Sequence, residues 1–146
     1  MKFFKKAKKQ EANNWTVYQS WIGENPAIIS VDTSFVNTEY KHTLSVNVAY
    51  NITNDNKLPD KEQNEFINQI EDMIAKKLEA ENLKVYFVGS ASFDGTKYLI
   101  YVTNEQIDWK SYIEAIVASP RIDISVYNED NMGYYNKVLY PPKNMK

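Results

Sequence analysis

Along this chain, apolar and polar residues alternate with a period of two in several short runs and with a helical period in two longer ones. Trp15, Val17 and Trp21 alternate with Thr16, Tyr18 and Ser20, which predicts a first strand over 15–22. Gly23-Glu24-Asn25-Pro26 then supplies the backbone angles of a reversal. A second strand is expected over 27–35, with Ile29, Val31 and Phe35 on one face and Asp32 on the other. The clearest alternation is the third: Leu44, Val46, Val48, Tyr50 and Ile52 against Thr43, Ser45, Asn47, Ala49 and Asn51. It implies a sheet with one dry face.

Beyond a polar stretch over 51–59, Asp60 is placed to cap a helix, and Gln63 three positions on completes a capping box. Glu62 and Glu65 sit near the positive helix end. Phe66, Ile67, Ile70, Met73, Ile74 and Leu78 recur at three- and four-residue spacing, so the helix should run to about Glu81 with one face on the sheet. Two β-rich runs follow, 83–88 and 97–103, and Asp94-Gly95 between them is a strong hairpin signal. Thr103 or Asn104 is expected to cap a second helix bearing Ile107, Trp109, Tyr112, Ile113, Ile116 and Val117, stopped by Pro120. A strand over 122–126 and a helical turn within 130–137 complete the order before Pro141-Pro142.

The predicted class is therefore α+β, a mainly antiparallel sheet with two amphipathic helices packed on one face and a ferredoxin-like second half. A single domain is expected over 14–142, between a flexible Lys-rich tail at 1–13 and a flexible terminus at 143–146.

Charge sharpens that division. The first ten residues hold Lys2, Lys5, Lys6, Lys8 and Lys9 and no acid, leaving 12 bases against 19 acids, or −7, for the rest. An acidic body is ill suited to nucleic acid, whose affinity for proteins comes largely from phosphate neutralisation. Phe3-Phe4 is followed at once by lysines, so no export signal is read and a cytoplasmic location is expected. The same tail offers weak contact with an anionic membrane surface, and no apolar run is long enough to span one.

With no cysteine and one histidine, His42, the chain has no thiolate chemistry, disulfide or His cluster for zinc, and no cofactor is expected. Asp32 near Glu24 or Asp130 would make an acid/base pair, but strand alternation favours an exposed, structural Asp32. His42, in a polar junction, reads as a surface residue. Ser90 and Ser92 lack both a nucleophile elbow and a base partner. The four glycines are too far apart for a phosphate loop. Asp123, Glu129 and Asp130 lack the alternating oxygen ligands of a calcium loop, as does Asn54-Asp55-Asn56.

Tyrosine is the unusual residue, with Tyr86, Tyr98, Tyr101, Tyr127, Tyr134, Tyr135 and Tyr140 all in the second half. Tyr and Trp join apolar area to a hydrogen-bonding tip and are frequent interface anchors; core or sheet-edge packing is the favoured reading for most of these, with a partner-facing patch involving Tyr134, Tyr135 or Tyr140 as the alternative. Trp15-x-x-Tyr18, Pro26-Ala27 before Val31-Asp32, Val88-Gly89 ahead of Gly95 and Tyr101, and the closure Tyr135 with Leu139-Tyr140-Pro141 together resemble the bacterial group named domain of unknown function 695. Met132 stands where that resemblance implies a Trp. The resemblance brings no established activity. It implies protein binding through relatives that join this domain to one like the B-type regulator of ribonuclease E activity. The expected function is thus a noncatalytic intracellular protein-interaction or regulatory module, with Trp15, Tyr18, Asp32, Tyr134, Tyr135 and Tyr140 as candidate binding residues. A hydrolase or small-ligand enzyme using Asp32 and Glu24 is the rival.

Overall fold

Six strands form one sheet in the order β1-β2-β4-β5-β3-β6, with every neighbouring pair antiparallel. In chain order these are β1 (Trp15–Ile22), β2 (Asn25–Asp32), a 3-10 turn (Thr33–Phe35), β3 (His42–Ala49), α1 (Lys61–Ala80), β4 (Val85–Phe93), β5 (Thr96–Thr103), α2 (Trp109–Ile116) and β6 (Ile122–Tyr127). A π-helical segment, Tyr135–Leu139, follows. This computed structural model describes residues 14–142, so the Lys-rich tail and the last four residues lie outside the described residues.

The local signals act as the physics requires. Asp60 Oδ1 accepts from the Gln63 backbone N at 2.9 Å while Gln63 Oε1 accepts from the Asp60 N at 2.9 Å, a complete capping box at the start of α1. Asp94 and Gly95 both take positive φ, 48° and 90°, as a tight hairpin needs. At α2 the expectation fails by a few residues. Asp108 is the cap, accepting from the Ser111 N at 3.2 Å, whereas Thr103 is held in β5 by donating to the Lys84 carbonyl at 2.7 Å.

Both helices cover one face of the sheet. Ile67, Ile70, Ile74 and Leu78 of α1 and Trp109 and Ile113 of α2 pack on Leu44, Val46, Val48, Val85, Leu99, Tyr101 and Ile124. The opposite face, where the alternation of β3 implies exposure, is dry as well. Ala27, Ile29, Val31, Val88, Ala91, Ile100 and Val102 form a second core there, closed by Met132, Tyr135 and Leu139 of the C-terminal segment. That cover has no amphipathic helix and is easily missed: one π-helical turn presents Tyr135 and Leu139 inward, both fully buried.

The two covers decide which side of β1 is inside. On β1, Tyr18 and Ile22 join the second core, so the row that looks apolar in the sequence is outward, with Val17 66% and Trp21 69% exposed. Neither β1 nor β2 contributes to the helix-side core. The outer hairpin therefore extends the sheet past the helices, leaving a shelf on the helix side that none of the described helices covers.

Candidate functional site

That shelf meets the start of α1 and the preceding loop in a cavity of about 430 Å³. Its floor comes from four adjacent strands: Val17 on β1, Ile28 and Ser30 on β2, Ser90 and Ser92 on β4, and Lys97 on β5. Register explains the convergence. Val17 is opposite Ser30, which is opposite Ser90; Ile28 is opposite Ser92, which is opposite Lys97. Directly paired residues point to the same face, so these side chains form two neighbouring rows. The wall is Asn64 of α1 with Asn54, Asn56, Leu58 and Pro59.

The loop wall is braced from within. Asn54 Nδ2 donates to the Leu58 carbonyl at 3.1 Å, the Leu58 N donates to Asn56 Oδ1 at 3.0 Å, and the Tyr50 hydroxyl donates to the Lys57 carbonyl at 2.8 Å. The Ser30, Ser90 and Ser92 hydroxyls and the Asn64 amide make no hydrogen bond among the described residues, and the Lys97 ammonium feels the Glu71 carboxylate without a direct ion pair. Ser90 and Ser92 are nonetheless buried. Burial holds the Lys97 ammonium below the ordinary lysine pKa, partly offset by the Glu71 carboxylate. Among the described residues, no carboxylate or histidine lines the cavity.

The residues singled out from the sequence fall elsewhere. Asp32 is fully buried, not exposed as expected. Its Oδ1 accepts from the backbone N and the Oγ of Ser34, at 2.9 and 2.6 Å, capping the 3-10 turn. Its Oδ2 is buried with no hydrogen-bond partner. Glu24 stands in the hairpin turn beside the Ile22–Asn25 pair, while Asp32 is opposite Trp15 at the other end. At about 3.3 Å per residue this separates them by roughly 23 Å, and no carboxylate pair forms. Asp130 is occupied, its Oδ2 accepting from Thr43 Oγ1 at 2.9 Å and from the Tyr134 N at 2.8 Å.

His42 is likewise buried, against expectation, because Nδ1 accepts from the Glu129 N at 3.1 Å where the turn after β6 folds back on β3. The aromatic candidates act mainly as latches. The Tyr18 hydroxyl donates to the Leu139 carbonyl at 2.6 Å and that of Tyr135 to the Asp32 carbonyl at 2.7 Å. Trp15 packs on Phe87 with ring centroids 5.7 Å apart, Tyr134 on Tyr127 at 6.2 Å, and Tyr140 on Tyr135 at 5.9 Å. Tyr135 is fully buried, so its ring does not reach the surface. Among the described residues no three acids or histidines converge as metal ligands, and no helix is long and apolar enough to cross a membrane.

Ser30, Asn64 and Lys97 are the residues that sequence reasoning missed. Their signal is faint but physical: small hydroxyl residues at alternate positions of strands whose neighbours are apolar, as in Ile29-Ser30-Val31 and Ser90-Ala91-Ser92. In comparison with known proteins, a family model described as "Family of unknown function (DUF695)" matches residues 13–140. No curated protein and no solved structure matches the chain.

Proposed function

The chain belongs to that family, DUF695, and from its geometry we propose that it is a noncatalytic protein-interaction module of regulatory kind, which takes up an extended segment of a partner protein along β1. One observation carries this reading. β1 is a sheet edge of eight residues, Trp-Thr-Val-Tyr-Gln-Ser-Trp-Ile, with no charge, proline or glycine, and with Val17 and Trp21 exposed. Natural edge strands are usually shortened, bulged, charged or covered, because unpaired backbone groups recruit another strand. The opposite edge follows that rule: β6 has six residues and carries Asp123. A partner strand added to β1 would gain backbone hydrogen bonds, with Trp21 as an aromatic anchor beside it.

A bacterial, cytoplasmic setting is part of the same proposal, supported by the resemblance to a bacterial group and by a cysteine-free core that needs no oxidising compartment. The carboxylate-enzyme reading has no comparable support, since the hairpin holds Asp32 and Glu24 at opposite ends.

The test is affinity capture from native extract with the wild-type chain and with Gln19→Lys/Trp21→Lys as baits, both positions being exposed. A partner recovered by the wild type alone, whose complex protects the β1 amides from hydrogen exchange, is expected. Equal recovery by both baits, or protection elsewhere than β1, refutes the assignment. A concentration-dependent dimer abolished by the double substitution would give the edge to a second copy instead.

A further inference from the structure

The Lys97 ammonium, the Asn64 amide and three serine hydroxyls, two of them on the buried residues Ser90 and Ser92, converge on one cavity without hydrogen-bonding one another. Their chemistry is complementary to one kind of ligand. A lysine ammonium only donates, while a serine hydroxyl and an asparagine amide both donate and accept. Among the described residues, Lys97 is the one charged group in the lining. We propose that this cavity binds a small polar molecule bearing a single anionic group, a carboxylate or a phosphate, with Lys97 taking the anion and Ser30, Ser90, Ser92 and Asn64 taking the hydroxyl or amide groups of the remainder.

Three features narrow the class. The volume, about 430 Å³, lies within the usual range of small-molecule sites. Four of the six floor residues, Ser30, Ser90, Ser92 and Lys97, are polar, which disfavours a lipid chain. The body outside the Lys-rich tail carries 12 bases against 18 acids, which repels large polyanions at long range while leaving a compact, singly charged molecule little affected. The partial burial of Lys97 strengthens its attraction to a charge placed beside it, since less water screens the pair. Glu71 approaches Lys97 from α1 and tempers this attraction without lining the cavity. Val17 of β1 lines the cavity, but its polar groups lie on β2, β4, β5 and α1, so ligand binding there does not depend on the strand-addition reading.

The experiment is an NMR titration of the full chain, at constant ionic strength, with inorganic phosphate, acetate and glycerol as separate probes. Saturable shifts of the amides at Ser30, Ser90, Ser92 and Lys97 are expected with one or both anions and not with glycerol. Tighter binding of phosphate assigns a phosphoryl ligand, and tighter binding of acetate a carboxylate one. Lys97→Met should weaken the anion at least tenfold, whereas Lys97→Arg should retain most of it. Ser90→Ala/Ser92→Ala, which leaves the charge in place, gives a second variant should Lys97→Met fold poorly, with a loss of severalfold expected. The proposal is overturned if neither anion saturates these amides, if glycerol shifts them equally, or if Lys97→Met binds as tightly as the wild type.

Discussion

Replacing Tyr135 tests whether the C-terminal segment is integral to the core or merely rests on it. Its ring is fully buried in the second core, 6.4 Å from Phe35 and 5.9 Å from Tyr140, and its hydroxyl donates to the Asp32 carbonyl at 2.7 Å across 103 positions of sequence. Tyr135→Phe keeps the ring and removes one buried hydrogen bond, a loss of about 1–2 kcal/mol once the abandoned carbonyl is included. Tyr135→Ala also empties the ring volume and should cost about 3–5 kcal/mol, a large part of the total stability of an ordinary domain, roughly 5–15 kcal/mol. In urea, with a slope of about 2 kcal/mol/M, these become falls in midpoint of roughly 0.5–1 M and 1.5–2.5 M at unchanged slope. Phe as the milder change and Ala as the severe one would separate the hydrogen bond from the packing. If Tyr135→Ala stays within about 1 kcal/mol of the wild type, or if the segment melts in a separate early transition, the two-faced core described above is wrong.

Three further outcomes follow from particular contacts. At Gly89 an added methyl would stand 2.4 Å from the Ser30 carbonyl oxygen and 3.1 Å from the Val31 Cα, so Gly89→Ala should cost about 2–3 kcal/mol by forcing β2 and β4 apart, as read in a denaturant melt. Asp60→Ala removes the cap of α1 and should cost about 1 kcal/mol, or roughly 3 °C in Tm by circular dichroism. Burial raises the phenols of Tyr101, Tyr134 and Tyr135 above the ordinary 10.0, so unfolding releases protons in alkali. Stability should therefore hold below about pH 10 and fall progressively above it, while phenolate absorbance of the native chain shows these tyrosines ionising last; a flat stability profile from pH 9 to 11 would contradict their burial.

How much of this was legible in the residues alone varies from element to element. Strands, α1, its capping box and the Asp94-Gly95 hairpin are written in local patterns, and local energetics suffices to form them. Which face of β1 is inside was not legible, because Val17 and Trp21 look like core residues until the C-terminal segment is seen to cover Tyr18 and Ile22. Tyr98-Leu99-Ile100-Tyr101-Val102 did carry a hint: an unbroken apolar run belongs to a strand dry on both sides, and β5 sits fourth of six. Asp32 and His42 were misplaced because their burial depends on Ser34 and on the distant Glu129 backbone, respectively. The cavity depends on register across four strands, which no single segment encodes. Its serines became meaningful only once aligned.

The covering of the second face by residues beyond β6 also has a consequence for synthesis. All six strands and both helices precede Met132, Tyr135 and Leu139 in the chain, so a nascent polypeptide can assemble its sheet and seal the helix side while Ile29, Val31, Ile100 and Val102 still face water. During that interval the molecule is sticky on one side, and the uncharged edge of β1 adjoins that surface. Exposed apolar area and open strand edges are the shared ingredients of aggregation during folding. Slow translation or a stop codon before residue 132 should therefore yield insoluble product rather than a shortened but well-behaved domain.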